Sequence, residues 1–336
     1  MIILKNYSLQ ACNTFGLAVQ AENLVKIRSV AALKQAIKLS YQPLFILGGG
    51  SNMLLTKNVE GLVLKNEIKE KTVVEADDTK VIIRVGGGEN WHELVLWAIQ
   101  NNYGGLENLA LIPGTVGAAP IQNIGAYGVE LKDIFVRLEA TNLTTGRKKT
   151  FTKKACQFGY RESIFKKALK GQYFITKIYL KLSKTAHQIN TGYGAIQTSL
   201  ANEGITSPTI KNISDAVIAI RSSKLPDPAK LGNAGSFFKN PTIPAAQFEE
   251  LRKSFPNIVF YEMPDNKVKI PAGWLIEQAG WKGKKVGNTG AHAKQALVLV
   301  NYGNATGNEV RALAFQIIAS VKEKFGIKLS PEVNII

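Results

Sequence analysis

Short apolar runs that end in glycine set the first pattern along the chain. Residues 43–47 run apolar into Gly48, Gly49, Gly50, Ser51 and Asn52, which predicts a buried strand entering a glycine turn. Residues 81–85 repeat the figure and lead into Gly86-Gly87-Gly88-Glu89-Asn90, after which 92–102 carries Leu94, Trp97 and Ala98 at helical spacing. Alternation over 134–141 and 148–152 flanks a turn at 142–147, a β-hairpin signature, and 173–182 is a longer alternating strand. The middle of the chain therefore reads as α+β with mostly antiparallel strands. Further on, the pattern predicts helices over 213–223, 273–279 and 307–325, a strand over 296–301 and a closing strand near 329–335. Lys224-Leu225-Pro226-Asp227-Pro228 is a rigid connector, since proline cannot continue a helix and restricts the residue before it, so a domain boundary is expected within about 207–228. Between the two halves lies the least regular stretch, 112–128, with many small residues and little charge. That composition suits backbone lying close against something flat or bulky.

Composition narrows the partners more than the fold. With 336 residues, 45% hydrophobic and 20% charged, the chain is a multi-domain globular protein rather than a disordered chain, a coiled coil or a stapled mini-protein. A net charge of +17 favours anionic partners: nucleic acid, anionic lipid, or phosphorylated and carboxylated small molecules. Two cysteines, Cys12 and Cys156, and three histidines, His92, His187 and His292, exclude a disulfide framework and a multi-ligand zinc cluster, so no metal is expected. The opening MIILKNYSLQ has too short an apolar run for a signal-peptide core, and no stretch approaches the length of a membrane span. A cytoplasmic protein is expected.

Several places could carry chemistry. Glycine turns after strands expose N–H groups that can hold phosphate oxygens, but Met53 and Trp91 stand where G-x-G-x-x-G needs its third glycine, and no G-K-[ST] follows either loop. A Rossmann domain and a P-loop are both disfavoured, while two glycine loops together with 113–128 favour a nucleotide over mere tight turns. Ser236, between a glycine and two phenylalanines, reads either as a turn serine capping its own backbone or as a proton donor. It lacks the adjacent histidine and the spacing of a Ser-His hydrolase. Arg161 is either a surface arginine paired with Glu162 or a fixed cation for a carboxylate or phosphate. Glu332 is either an edge-strand charge facing water or, if buried, an acid or base with a raised pKa. The lysine clusters at 147–149, 153–154, 166–167 and 282–285 are dispersed, which reads as solvated surface before phosphate steering.

Six motifs in order carry a resemblance. Asn13-Thr14-Phe15, Leu47 through Asn52, Ile112 through Pro120, Tyr160-Arg161-Glu162-Ser163, Gly235 through Pro241 and Pro331-Glu332-Val333 resemble the UDP-N-acetylenolpyruvoylglucosamine reductase family, over nearly the whole chain. The resemblance implies a two-part FAD-binding domain of the vanillyl-alcohol-oxidase type plus a C-terminal α+β substrate domain. The expected division is 1–70 (joined by 327–336), 71–212 and 213–326. It implies a flavoprotein of peptidoglycan precursor synthesis that holds FAD without a covalent link and uses NADPH to convert an enolpyruvyl group on a UDP-sugar to a lactyl group. Gly48, Gly49, Gly50, Ser51 and Asn52 would hold the FAD pyrophosphate. Pro113, Gly114, Thr115, Gly117, Ala118, Gln122, Gly125, Ala126 and Tyr127 would lie along the flavin. Arg161, Ser236 and Glu332 would act at the reacting centre, and Tyr160, Tyr193, Lys224, Asn240, Lys282 and Gln295 would contact the UDP-sugar or the nicotinamide nucleotide. A monomer is expected, with no nucleic-acid or membrane partner. A flavin oxidase of the same fold and a basic, non-catalytic nucleic-acid-binding protein are the alternatives.

Overall fold

Local signals settle where several helices begin and end. In the computed structural model, which describes residues 1–39 and 41–336, the helix Gly307–Phe325 matches its expected span because both ends are coded locally. Thr306 and Glu309 form a reciprocal capping box, and Gly326 closes the helix with a φ of 66°. The helix expected at 213–223 begins three residues earlier, as Ile210–Lys224. Its cause is Thr209, whose hydroxyl accepts from Asn212 N (3.3 Å) while Asn212 Oδ1 accepts from Thr209 N (3.0 Å). The helix Trp91–Gln100 starts on Asn90, whose side chain accepts from Glu93 N at 3.1 Å.

The chain divides into two compact units. The first comprises residues 1–7, 21–50 and 59–223. Its smaller sheet orders the strands Leu4–Ser8, Gln20–Ile27, Val59–Asn66 and Leu44–Leu47, the last three mutually parallel. Parallel neighbours covered on both faces read as continuous apolar runs, which is why residues 43–47 show no alternation. Its larger sheet is antiparallel throughout and orders Lys148–Thr152, Phe135–Asn142, Tyr173–Ser183, Lys80–Gly86 and Lys71–Ala76. Inward residues of this sheet pack with Leu94, Val95 and Ala98 of the Trp91–Gln100 helix and with Ile213, Ala216 and Val217 of the Ile210–Lys224 helix.

The second unit comprises residues 8–20, 51–58 and 224–336. An antiparallel sheet orders Gly232–Ser236, Val298–Asn301, Thr289–Ala291 and Lys285–Val286, and the Gly307–Phe325 helix packs its Val310, Leu313, Ala314, Ile317 and Val321 into the same core. Phe15 and Leu17 from the first segment and Leu54 from the second are part of that core.

The two units cut the chain differently from the expected three parts: most of 1–70 shares one unit with 71–212, while 8–20 and 51–58 go with the second. The boundary falls after Ser223 rather than at 213, because Ile213, Ala216 and Val217 are buried in the first unit's core. Residues 327–336 belong with 224–326, joined there by segment 51–58. Only Asn334–Ile335 of the expected 329–335 strand is regular, paired in parallel with Met53–Leu54, while Pro331 makes a single bridge to Phe238.

Candidate functional site

In the first unit, the two glycine loops have different fates. At Gly86, Gly87 and Gly88 an added Cβ would fall 2.4 to 2.5 Å from the backbone of Ile68 or Ile175, so glycine is demanded by packing. The loop's amides are also spent: Gly86 N donates to Glu70 O, Gly87 N to Thr176 O, Gly88 N to Ile68 O and Glu89 N to Gly86 O. On its other side the loop supports 114–117, through Trp91 N to Gly114 O (3.0 Å), Val116 N to Glu89 O (2.9 Å) and Gly117 N to Gly87 O (2.8 Å). This loop is a brace and not the phosphate cradle that the pairing of two glycine loops suggests, because none of these amides is left for a ligand.

The first loop meets the same segment closely. A Cβ at Gly48 would lie 2.6 Å from Thr115 Oγ1, and one at Gly49 would lie 2.8 Å from Gly114 Cα. Thr115 Oγ1 is buried without a hydrogen-bond partner, an arrangement that costs free energy unless a ligand completes it. Glycines at 48 and 49 held close to 114–115, beside one orphaned buried hydroxyl, suit a flat, polar group such as FAD laid against this part of the first unit.

Arg161 is fixed by a second set of ties. Asn123, fully buried, donates from Nδ2 to Gly159 O (3.1 Å) and accepts from Lys132 N (3.0 Å), and Ser163 Oγ donates to Ile121 O (2.6 Å). Between these ties Arg161 has a φ of 55° and sends Nη2 to Gly125 O at 2.6 Å, with its guanidinium over the Tyr160 ring. Glu162 pairs with Lys167 at 2.7 Å.

Sequence reading misses the neighbour of Arg161. Arg221, on the Ile210–Lys224 helix, has a buried Nε without a hydrogen-bond partner, and its guanidinium hydrogen-bonds to the Tyr127 hydroxyl. Burial pulls the Arg221 pKa down, and the Arg161 charge pulls it the same way. Burial likewise raises the Tyr127 hydroxyl, against the Arg221 charge. An arginine three residues before Lys224, at the end of a helix with apolar Ile213, Ala216 and Val217, is the only sequence signal, and it is indistinguishable from a solvated helix end. Tyr193 stands 47% exposed with its ring edge-on to Tyr127 at 5.1 Å.

In the second unit, Ser236 and Glu332 come together around Phe237. Ser236 ends its strand, exposed, after a bend at Gly235 (φ 68°). Phe237 N donates to Leu297 O and its carbonyl accepts from Glu332 N, both at 2.8 Å, so Ser236 flanks the residue that holds Glu332. Ser236 is thus the exposed last residue of a strand, and Glu332 is half-buried. Asn240 and Gln295 converge on the helix Ala272–Gln278. Asn240 Oδ1 accepts from Ala272 N (2.9 Å), and Gln295 Oε1 lies 3.1 Å from where a Gly273 Cβ would be. Lys282 pairs with Glu277 at 2.7 Å, and Lys224 is exposed at its helix end. Among the described residues no group of three or more His, Cys, Asp or Glu could hold a metal, and no helix is long and apolar enough to cross a membrane.

These features define a flavoprotein, and residues 21–151 match the family model described as an FAD binding domain. Residues 227–336 match that of the UDP-N-acetylenolpyruvoylglucosamine reductase C-terminal domain. The reductase of that name from Flavobacterium johnsoniae is 53% identical over the full length of both chains, and the one from Pseudomonas aeruginosa is 47% identical over 98% of this chain and 97% of that one. The crystal structure of the Thermus caldophilus UDP-N-acetylenolpyruvylglucosamine reductase superposes with a TM-score of 0.67 at 22% identity, covering 99% of this chain and 98% of that one. The chain belongs to the UDP-N-acetylenolpyruvoylglucosamine reductase family.

Proposed function

We propose that this chain reduces UDP-N-acetyl-3-O-(1-carboxyvinyl)glucosamine to UDP-N-acetylmuramate with electrons from NADPH, a step of peptidoglycan precursor synthesis in the cytoplasm. The observation within the molecule that carries the reading is Arg221, whose buried Nε has no hydrogen-bond partner and whose pKa is pulled down by burial and, in the same direction, by the Arg161 charge. Like charges brought together under desolvation call for an anion, and the substrate supplies a carboxylate conjugated to the carbon–carbon double bond that is reduced.

FAD, when bound, would be held by Gly48 to Asn52 and by 113–127 and would supply the hydride chemistry between the nicotinamide and the substrate. The chain's own residues do the rest. Arg161 and Arg221 hold the carboxylate and oppose the negative charge that develops on it, an effect commonly worth about 3 kcal/mol for a preorganised donor. Ser236 Oγ gives its proton to the carbon that bears the carboxylate, and water restores it. Glu332, set by the Phe237 carbonyl, orients the same carboxylate by hydrogen bonding. Tyr160, Tyr193, Lys224, Asn240, Lys282 and Gln295 hold the UDP-sugar or the nicotinamide nucleotide, and the net charge of +17 draws these anions in.

The test is the visible spectrum of the purified protein without oxygen. Yellow bands that bleach with NADPH and return with the enolpyruvyl UDP-sugar are expected. A colourless protein that stays so when FAD is supplied would overturn the reading.

A further inference from the structure

Asn108 is 1% exposed and belongs to none of the segments assigned above. It sits in the short 3-10 turn Glu107–Leu109, which is pinned at both ends: Glu107 Oε2 accepts from Gly105 N at 2.6 Å, and Leu109 O accepts from Trp91 Nε1 at 3.0 Å. From this fixed base, Asn108 Nδ2 donates to two carbonyls, Tyr127 O at 3.2 Å and Asn190 O at 3.0 Å. One carbonyl lies on the segment assigned to the flavin, the other on the loop that delivers Tyr193. The loop meets Tyr127 and Gly128 at two further points. A Cβ at Gly128 (φ 81°) would sit 3.4 Å from the Asn190 side chain, and the Tyr193 ring contacts the Tyr127 ring. Asn190 Oδ1 also accepts from Gly192 N at 3.1 Å, which shapes the approach to Tyr193.

We propose that Asn108 is a positioning residue that latches the 190–193 loop onto Tyr127, so that Tyr193 stands ready before the UDP-sugar arrives. The inference rests on the assignment of Tyr193 to substrate binding. A primary amide carries two donors in one plane, and here both go to part-buried carbonyls of separate segments. Removing the amide leaves both carbonyls to seek water, which moves the loop and transfers its ordering cost to the binding step.

Purified holoenzyme carrying Asn108→Ala is compared with Tyr193→Ala and with the double variant. The KM for the UDP-sugar is expected to rise about tenfold with kcat little changed and FAD absorbance retained, as for the loss of two neutral hydrogen bonds. Amide hydrogen exchange is expected to quicken across 189–194, and Asn108→Ala is expected to add nothing once Tyr193 is alanine. An unchanged KM, losses that add in the double variant, or unaltered exchange in the loop would each overturn the latch. Asn108→Asp keeps the shape and removes both donors at neutral pH; its KM penalty is expected to shrink as acid restores one donor, and a penalty independent of pH counts against the latch. If Tyr193→Ala alone leaves KM unchanged, the assignment of Tyr193 falls, while loop exchange in Asn108→Ala still decides the latch.

Discussion

The amide of Glu332 donates to the carbonyl of Phe237 at 2.8 Å, so the placement of Glu332 depends on the backbone of the residue next to Ser236. Phe237 is fully buried, edge-on to Phe15 and Phe238 with ring centroids 6.4 and 5.1 Å away. Phe237→Ala is expected to cost about 3–5 kcal/mol of stability by denaturant unfolding, with turnover lost beyond what the unfolded fraction explains. Turnover that merely tracks the folded fraction would separate Ser236 and Glu332 from this support.

Ser236→Ala separates the two half-reactions. Reduction by NADPH is expected to proceed normally, whereas reoxidation by the enolpyruvyl substrate slows by roughly 100-fold or more, the usual scale for a lost general acid. Rapid-mixing absorbance reads both phases, and normal reoxidation would remove Ser236 as proton donor.

Arg221→Met removes the buried cation and keeps its bulk. Turnover is expected to fall about 100-fold while FAD stays bound, and Arg221→Lys is expected not to restore it, since a point charge lacks the guanidinium fork. Steady-state rates beside the flavin-to-protein absorbance ratio check this; full activity in the methionine variant would exclude Arg221 from anion binding.

Gly49→Ala places a Cβ 2.8 Å from Gly114 Cα, which only a backbone shift can relieve. FAD retention is expected to weaken by about tenfold or more, on the scale of overpacking against a fixed neighbour. Gly194→Ala meets nothing within 4 Å and serves as the control, with flavin content unchanged on gel filtration.

His92 accepts from Leu111 N at 3.0 Å through Nδ1, which therefore carries no proton, and burial lowers its pKa, helped by the Arg221 charge and opposed by Glu93. Between the unfolded value near pH 6.5 and the lower native one, the unfolded chain binds more protons, so this stability is present above about pH 6.5 and is lost as pH falls from there through the native pKa. Thermal midpoints are expected to drop on acidification, and less steeply in His92→Gln. His292, also lowered by burial, supplies part of the remaining slope. Parallel pH profiles for the wild type and His92→Gln would rule His92 out.

The sequence shows those features whose causes are local. The capping box of Thr306 and Glu309 fixes a helix to the residue, and the apolar run before Gly48 marks a strand of which Leu47 is fully buried. Where the cause lies across the fold, sequence reading fails in identifiable ways. Gly86 to Gly88 looks like a second phosphate loop until Ile68 and Ile175 are seen against it. Residues 329–335 look like a strand because apolar residues alternate there, yet Pro331 has no N–H to extend a ladder. Arg161, Ser236 and Glu332 stand out through the motifs around them. Arg221, Asn108 and Asn123 do not, because a buried polar side chain differs from an exposed one only in what tertiary structure places next to it.

The second unit draws on three stretches of chain, and this sets an order of events during synthesis. Phe15 and Leu17 are made early, yet their core partners, Phe237, Ile317 and Val321 among them, come about 200 to 300 residues later. At roughly 5–20 residues per second the interval is on the order of tens of seconds. Through that interval the early apolar segments lack their final neighbours and are natural clients for a holding chaperone. A chain that lacks Asn334 and Ile335 leaves Met53 and Leu54 without their parallel strand partner.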